Sequence, residues 1–329
     1  MTKAYRGGEL LAEAVRSGFV ESLHRGSVVV LGPDERVVAQ AGDVEAAMFP
    51  RSSTKPMQTL GALRTGLIYD DPADLAIASA SHHGEPFHVA RVRSLLLRAG
   101  LTPEALQCPA SLPVDEAARD AIVSAGGGAT RLLMNCSGKH AAMLAACVAA
   151  GHPADGYLDP EHPLQQANRR AVAELSGYTP SAVGVDGCGA PLFAYPLRGL
   201  ARAFLRLVQA APGSRERAVA DAMRDWPQLV SGTRGQDTKL MLAVPGLLSK
   251  GGAEGVAALA APGVGAVAVK IDDGAIRASY PVAVSALRAL DLSKLDVDER
   301  ALGELAVTPV LGGGEPVGAV RTVWPARPA

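Results

Sequence analysis

The run RSSTKP at residues 51–56 contains a serine followed three positions later by a lysine, Ser52 and Lys55. Residues three apart share one face of a helix, so the two side chains can meet there. Pro56 limits how far a helix can extend before Ser52, which places this serine at a helix start, where unpaired N–H groups favour negative charge. A buried lysine with a lowered pKa can take the proton that a nucleophilic serine must lose. Taken alone, the pattern is more typical of a capped helix start with a solvated lysine.

Two cysteine-containing runs, NCSGKH at 135–140 and DGCGAP at 186–191, could also do chemistry. Cys136 is predicted to open a helix beside a lysine and a histidine, which should lower the pKa of its thiol and make it partly thiolate. Cys188 lies between glycines after a strand, a pattern typical of backbone that something approaches closely. From the residues alone, the two cysteines are metal ligands, nucleophiles or two buried thiols.

Two further runs carry candidate groups. The run ASHHGE at 80–85 contains Ser81 and two adjacent histidines. On a strand these histidines point to opposite faces and would not bind one ion together, so the run alone favours a helix start capped by Ser81. In VKIDDG at 269–274, Lys270 ends an apolar strand. Alone, this pattern favours an exposed lysine at a hairpin turn.

The elements that must position these groups are strands at both ends of the chain and helices between them. Ser27–Leu31 and Arg36–Ala39 are predicted to form one hairpin, and from Ser52 to about Ala149 the apolar spacing is helical. The remaining predicted elements are helices at 163–176, 194–210, 215–226 and 295–305, a short buried strand at 182–186, a second hairpin made by 265–270 and 275–284, and a final strand at 317–323.

This order predicts the α+β class, with one antiparallel sheet built from the N- and C-terminal segments and a helical insertion between them. We expect residues 1–50 and 192–329 to form the sheet-containing region, and residues 51–191 to form a mainly helical region that carries most of the candidate groups. No low-complexity linker separates the two, so one compact unit is expected.

Composition limits the function classes. The chain has 329 residues, of which 48% are hydrophobic and 20% charged, as in globular proteins. The net charge of -1 gives no basic excess for nucleic-acid binding. Four cysteines do not make a disulfide scaffold. The N-terminal residues contain no apolar signal-like core, and the charge-free stretch between Glu254 and Lys270 is too short to span a membrane. These features predict a cytoplasmic protein without nucleic-acid or membrane partners.

Read together, five runs resemble the L-asparaginase II family, in the family's order along the chain. They are RSSTKP at 51–56, ASHHGEP at 80–86, NCSGKHAAML at 135–144, DGCGAP at 186–191 and VKIDDG at 269–274. The resemblance implies a fold similar to serine β-lactamases and glutaminases, and a homodimer. It implies two serine–lysine couples, Ser52 with Lys55 and Ser81 with Lys270. It also implies a zinc site of Cys136, Lys139 and Cys188.

The reaction implied is hydrolysis of the side-chain amide of L-asparagine through an acyl-enzyme on Ser52. We expect Arg51 to hold the substrate carboxylate, Asp186 to hold its ammonium group, and His83 and Asn135 to line the substrate site. The family often has Ser or Asn where His83 stands, so the pocket mouth can differ here. Zinc is expected to support substrate positioning rather than to activate water.

Three alternatives stay open at this point. One is a hydrolase whose nucleophile is Cys136 or Cys188, with His140 as base. Another is a hydrolase of the β-lactamase or peptidase kind. The third is a zinc- or small-molecule-binding protein without catalytic activity on the same scaffold.

Overall fold

The computed structural model describes residues 5–324, and its strands come mostly from the two ends of the chain. They are β1 (Glu9–Arg16), β2 (Phe19–Leu31), β3 (Val37–Ala41), β4 (Ala47–Met48), β5 (Ala182–Val185), β6 (Pro191–Pro196), β7 (Leu248–Gly252), β8 (Val256–Ala261), β9 (Gly265–Ile271), β10 (Val307–Gly312) and β11 (Glu315–Thr322).

The helices fill the middle of the chain and the C-terminal third. They are α1 (Lys55–Thr65), α2 (Ala73–Ala78), α3 (Pro86–Arg98), α4 (Glu116–Ser124), α5 (Ser137–Ala149), α6 (Pro163–Ser176), α7 (Leu197–Gln209), α8 (Arg215–Asp225), α9 (Pro227–Ser231), α10 (Gln236–Ala243), α11 (Ile276–Leu287) and α12 (Glu299–Leu305). Within the described part of the chain, no helix has both the length and the apolar character needed to cross a membrane.

An eight-stranded antiparallel sheet joins the two ends of the chain, in the order β10-β11-β1-β2-β9-β8-β7 with β3 also paired to β2. Ala14 of β1 lies opposite Val320 of β11, and Val28 of β2 lies opposite Val269 of β9. The predicted α+β class, with a sheet from N- and C-terminal segments, is confirmed. The hairpin of β2 and β3 is also confirmed.

The sheet has a hydrophobic core on each face. Alternate residues of β2 supply the two cores, Val29 and Leu31 on one side and Val28 and Val30 on the other. The first core continues into α1, α2, α5 and α7, and the second is covered by α10, α11 and α12. The sheet therefore lies between two layers of helices, one on each face. The edge strand β7 borders the helical region.

Two local predictions were wrong. Residues 276–287 form α11 and not a strand, because after the turn at 271–274 the chain leaves the sheet, and β8 takes the place beside β9. Continuous apolar runs fit a buried strand and a buried helix equally well, so periodicity could not separate them. The strand β5 exists but is not buried. Its Val185 is 80% exposed, because β5 belongs to a small separate sheet with β4 and β6.

Candidate active site

Ser52 lies on a tight turn that leads directly into α1. Residues Arg51–Thr54 form one turn of 3₁₀-helix, and Pro56 sits in the first turn of α1, as the sequence predicts. Arg51 has a φ of 52°, a left-handed conformation that is uncommon outside glycine and is often found at functional sites. Among the described residues, the Ser52 hydroxyl has no hydrogen-bond partner, so it is open to a substrate.

Lys55 is fully buried, which excludes the solvated lysine of a simple helix start. Its Nζ donates to the carbonyl oxygen of Ala80 at 2.6 Å, to Ser81 Oγ at 2.9 Å and to Cys136 Sγ at 3.2 Å. Three acceptors around one amine are the set that an ammonium group needs. The structure therefore hydrogen-bonds Lys55 to Ser81 and shows no such bond to Ser52.

Ser81 does not cap a helix, because α3 begins five residues later with Glu85 at its N-cap. The irregular segment around Ser81 is held by neighbouring backbone instead. Ser81 N donates to Val230 O at 2.9 Å, and His82 N donates to Asn135 O at 3.0 Å. The next two side chains diverge as expected: His82 is buried against Ser137 Oγ at 2.8 Å, and His83 lines the cleft. Burial lowers the pKa of both histidines.

The structure does not bring Lys270 to Ser81. Lys270 lies on β9 opposite Val256, and its Nζ donates to Glu254 O at 2.7 Å and to the carbonyl oxygen of Ile271. Its place in the sheet directs the amine to the loop after β7. The second lysine of the cleft is a different residue.

That lysine is Lys250, on the edge strand β7, which the sequence reasoning missed. It is 1% exposed and lines one cleft with Ser52 and Ser81. Ser53 Oγ donates to Lys250 O at 2.9 Å, which ties this strand to the turn that carries Ser52. Burial lowers the pKa of Lys250 to about 8, helped by the nearby charge of Lys55 and opposed by Asp237.

A signal for Lys250 was present in the sequence. Lys250-Gly251-Gly252 follows an apolar segment, and serine hydrolases of the β-lactamase class combine S-x-x-K with a K-T-G run. A glycine at 252 is required here, because a Cβ would lie 2.5 Å from Pro50 O and 3.0 Å from Ser53 Oγ. The close approach of β7 to the turn depends on it.

A buried carboxylate, that of Asp237, lies next to the Lys250 amine. Asp237 accepts from Ser249 Oγ at 2.7 Å, from Gly251 N at 2.9 Å and from Tyr280 OH at 3.1 Å. Its Oδ2 lies 3.6 Å from Lys250 Nζ. Burial raises the pKa of Tyr280 well above its usual value, so this hydroxyl stays a donor.

The cleft has a volume of about 330 Å³, and His83 and Asn135 line it together with the two serines. Arg51 and Asp186 lie beside Ser52 as an ion pair, with Arg51 Nε 2.7 Å from Asp186 Oδ1. Their side chains are 23% and 10% exposed. Of the residues predicted for the substrate, the structure thus places Arg51 and Asp186 together and His83 and Asn135 in the cleft.

The two candidate metal-binding cysteines lie near each other, and both are buried free thiols. Lys139 Nζ lies 3.0 Å from Cys188 Sγ. A hydrogen bond from Cys136 and the ammonium of Lys139 hold the pKa of Cys188 far below its usual value, against the effect of burial. The same hydrogen bond and burial raise the pKa of Cys136. These directions make Cys188 the more acidic thiol of the pair, whereas the sequence pattern predicts thiolate character for Cys136.

Zinc has a suitable donor set here, although it is not the common kind. In residues 5–324, no group of three or more His, Cys, Asp and Glu side chains is placed to hold a metal ion. The implied set consists of two thiols and one lysine amine. Beside it, His140 Nε2 is buried without a hydrogen-bond partner, while its Nδ1 is 2.6 Å from Tyr157 OH. Soft thiolate donors suit zinc, provided that Lys139 loses its proton.

Comparison with known proteins identifies the family. The family model described as L-asparaginase II matches residues 12–322. The chain belongs to the L-asparaginase II family. This membership confirms the resemblance seen in the five runs. A comparison with curated proteins gave no match.

Several solved structures are distant neighbours of this L-asparaginase II family member. Mglu in its native form is 14% identical with a TM-score of 0.43, covering 80% of this chain and 63% of Mglu. A β-lactamase from Mycobacterium bovis is 15% identical with a TM-score of 0.42, covering 85% of this chain and 95% of its own. A putative β-lactamase from Bacteroides dorei is 17% identical with a TM-score of 0.38, and the match covers 75% of this chain and 85% of the β-lactamase. The chain thus spans less than two thirds of the length of Mglu.

Proposed function

We propose that this protein hydrolyses the side-chain amide of L-asparagine to L-aspartate and ammonia through an acyl-enzyme on Ser52. The observation that carries the proposal is the meeting of Ser52, Ser81 and Lys250 in one cleft, with Lys55 hydrogen-bonded to Ser81. A half-buried serine hydroxyl in one cleft with a buried amine is an arrangement that can activate the serine. Family membership supplies the class of reaction.

We expect the α-amino and α-carboxylate groups of the substrate to bind at the Arg51–Asp186 ion pair, which adjoins the cleft next to Ser52 without lining it. Arg51 uses Nε on Asp186, and its Nη1 lies 3.7 Å from Glu254 Oε1, so a substrate carboxylate would take Nη2 and compete with Glu254 for Nη1. Asp186 Oδ2 lies 3.9 Å from Cys188 Sγ and can accept from an ammonium group. The side-chain amide would then extend over Ser52.

The proton of Ser52 passes to Lys250 as the serine oxygen bonds to the amide carbon. Lys250 suits this role because its lowered pKa leaves part of the population neutral near pH 7, whereas three acceptors surround Lys55. Lys250 then gives this proton to Ser81, which Lys55 holds, as Ser81 passes its own hydroxyl proton to the departing ammonia. Backbone N–H groups at the start of the helical turn, including that of Ser52, stabilise the oxyanion. Water then cleaves the ester, and its proton returns to Ser52.

Zinc, if bound, would be held by Cys136, Lys139 and Cys188. It would supply positive charge beside the α-amino and α-carboxylate groups of the substrate. We expect purified protein to carry zinc in a stoichiometric amount measurable by mass spectrometry of metals. The Cys188→Ser variant should lose the metal, and Cys147→Ser, a fully buried cysteine in the middle of α5, should keep it. Retention by both variants would contradict this site.

Ammonia release from L-asparagine by purified protein tests the function, with L-glutamine and Ser52→Ala alongside. We expect the wild-type protein to release ammonia from L-asparagine and the Ser52→Ala variant to release none. Equal release by both proteins would reject Ser52 as nucleophile, and release from neither amide would reject the function.

Cys136 and Cys188 are 4% and 1% exposed, which disfavours either thiol as the nucleophile. Substrate-protected alkylation of one of them would restore that alternative. A homodimer stays a prediction.

A further inference from the structure

A second cavity opens next to the catalytic cleft. It has a volume of about 510 Å³ and lies between α10, α11, α12 and β10. Gln236, Ile276 and Tyr280 line both the cavity and the cleft, so these three side chains form the shared rim. Its size is within the range of about 300–1,000 Å³ that is usual for small-molecule sites.

The side-chain contacts place the groups of the site in an order that runs from the Arg51–Asp186 pair to the rim of the new cavity. From the Arg51–Asp186 pair, the line of contacts continues through the thiols and Lys55 to Ser81. On the far side of the cleft, Lys250 is followed by Asp237 and then by Tyr280 at the rim. If the amino acid binds at the first end and its side-chain amide lies over Ser52, a substituent on the amide nitrogen can extend to the rim that the cleft shares with the new cavity.

The walls of the cavity are largely apolar. Leu242, Ala243, Leu305 and Val307 provide this surface. Its charged residues are of both signs, Lys239 and Arg277 against Asp298 and Glu304, so no net charge selects an ionic ligand. A neutral aryl or alkyl group gains most from such a surface.

We propose that this cavity binds an apolar substituent on the side-chain nitrogen of asparagine, so that the enzyme also cleaves secondary amides of this kind. This inference rests on the proposed function. The Ser52 Oγ–carbon bond forms and the carbon–nitrogen bond breaks. The amine leaves with the proton that Ser52 gave up, and water releases aspartate from the ester. The chemistry is unchanged, and only the leaving amine is larger.

The test compares L-asparagine with L-asparagine that carries a benzyl group on its side-chain nitrogen. Wild-type enzyme should cleave both, with a lower KM for the benzyl compound. Leu242→Trp partly fills the cavity from a side chain that is 57% exposed, so folding should be unaffected. We expect it to lower kcat/KM for the benzyl compound by roughly tenfold or more, and that for L-asparagine by less than about twofold.

Leu311→Trp is the matched control, because Leu311 is 53% exposed and does not line the cavity. It should leave both substrates unchanged. Val307→Trp, which fills the cavity from β10, should repeat the effect of Leu242→Trp. Cleavage of L-asparagine without cleavage of the benzyl compound overturns the inference alone, as does an equal effect of Leu242→Trp and Leu311→Trp. Failure to cleave L-asparagine overturns the proposed function.

Discussion

Lys250 and Lys270 show how chemistry at the residue scale depends on position in the sheet. Lys250 is the middle residue of β7 and Lys270 is the penultimate residue of β9, and both are followed within a few residues by glycine. Lys250 is on the edge strand beside the Ser52 turn, where burial and Lys55 lower its pKa to about 8. Lys270 is two strands further in, with its amine on backbone carbonyls of a loop.

The two lysines should therefore differ in their effect on catalysis. Lys250→Ala removes the proposed base and should lower kcat by roughly 100- to 10,000-fold. Lys270→Ala should leave kcat within a few-fold of wild type. Steady-state ammonia release measures both. A loss confined to Lys270→Ala would restore the pairing of Ser81 with Lys270.

Asp237 should set the pH dependence of the reaction. The base must be neutral, so kcat/KM should rise with pH through the pKa of Lys250, near 8. The charge of Asp237 raises that pKa, whereas the charge of Lys55 lowers it. Asp237→Asn removes the negative charge, so the rising limb should move to lower pH.

The pH profiles of kcat/KM for wild type and Asp237→Asn check this prediction. Tyr280→Phe serves as the control, because it removes one hydrogen bond to Asp237 and no charge. A profile that keeps its midpoint in Asp237→Asn, or moves to higher pH, would contradict the assignment of Lys250 as base.

At the scale of elements, the site depends on how closely β7 approaches the 3₁₀ turn of residues 51–54. Ser53 Oγ joins the turn to the backbone of Lys250, and Gly252 leaves no room for a side chain between them. Strand and turn together fix the spacing of Ser52 and Lys250. Neither element could do so alone.

Gly252→Ala should disturb this contact. Its Cβ would meet Pro50 O at 2.5 Å, which forces the strand and the turn apart. We expect a loss of about 1–3 kcal/mol in the free energy of unfolding and a fall in kcat. Gly128→Ala is the control, because nothing lies within 4 Å of a Cβ there. Urea unfolding and ammonia release measure both variants, and equal stability of the two would refute the close approach.

At the scale of the whole molecule, the two ends of the chain build one sheet, and this could be predicted from where the strands occur. The Ser52–Lys55 spacing, the site motifs and the helix α6 could be predicted as well. The order of strands could not, because it is set by long-range packing. That order decides that Lys250 enters the cleft and Lys270 does not, and that residues 276–287 cover the sheet as a helix.

The most direct test of the account is to trap the covalent intermediate. Enzyme mixed with the β-hydroxamate of L-aspartate would be quenched with acid in the first turnovers, digested and mapped by mass spectrometry. An aspartyl adduct is expected on the peptide that contains Ser52, and no adduct is expected in Ser52→Ala. An adduct on a peptide containing Ser81, Cys136 or Cys188, in its place, would contradict the role of Ser52 as nucleophile.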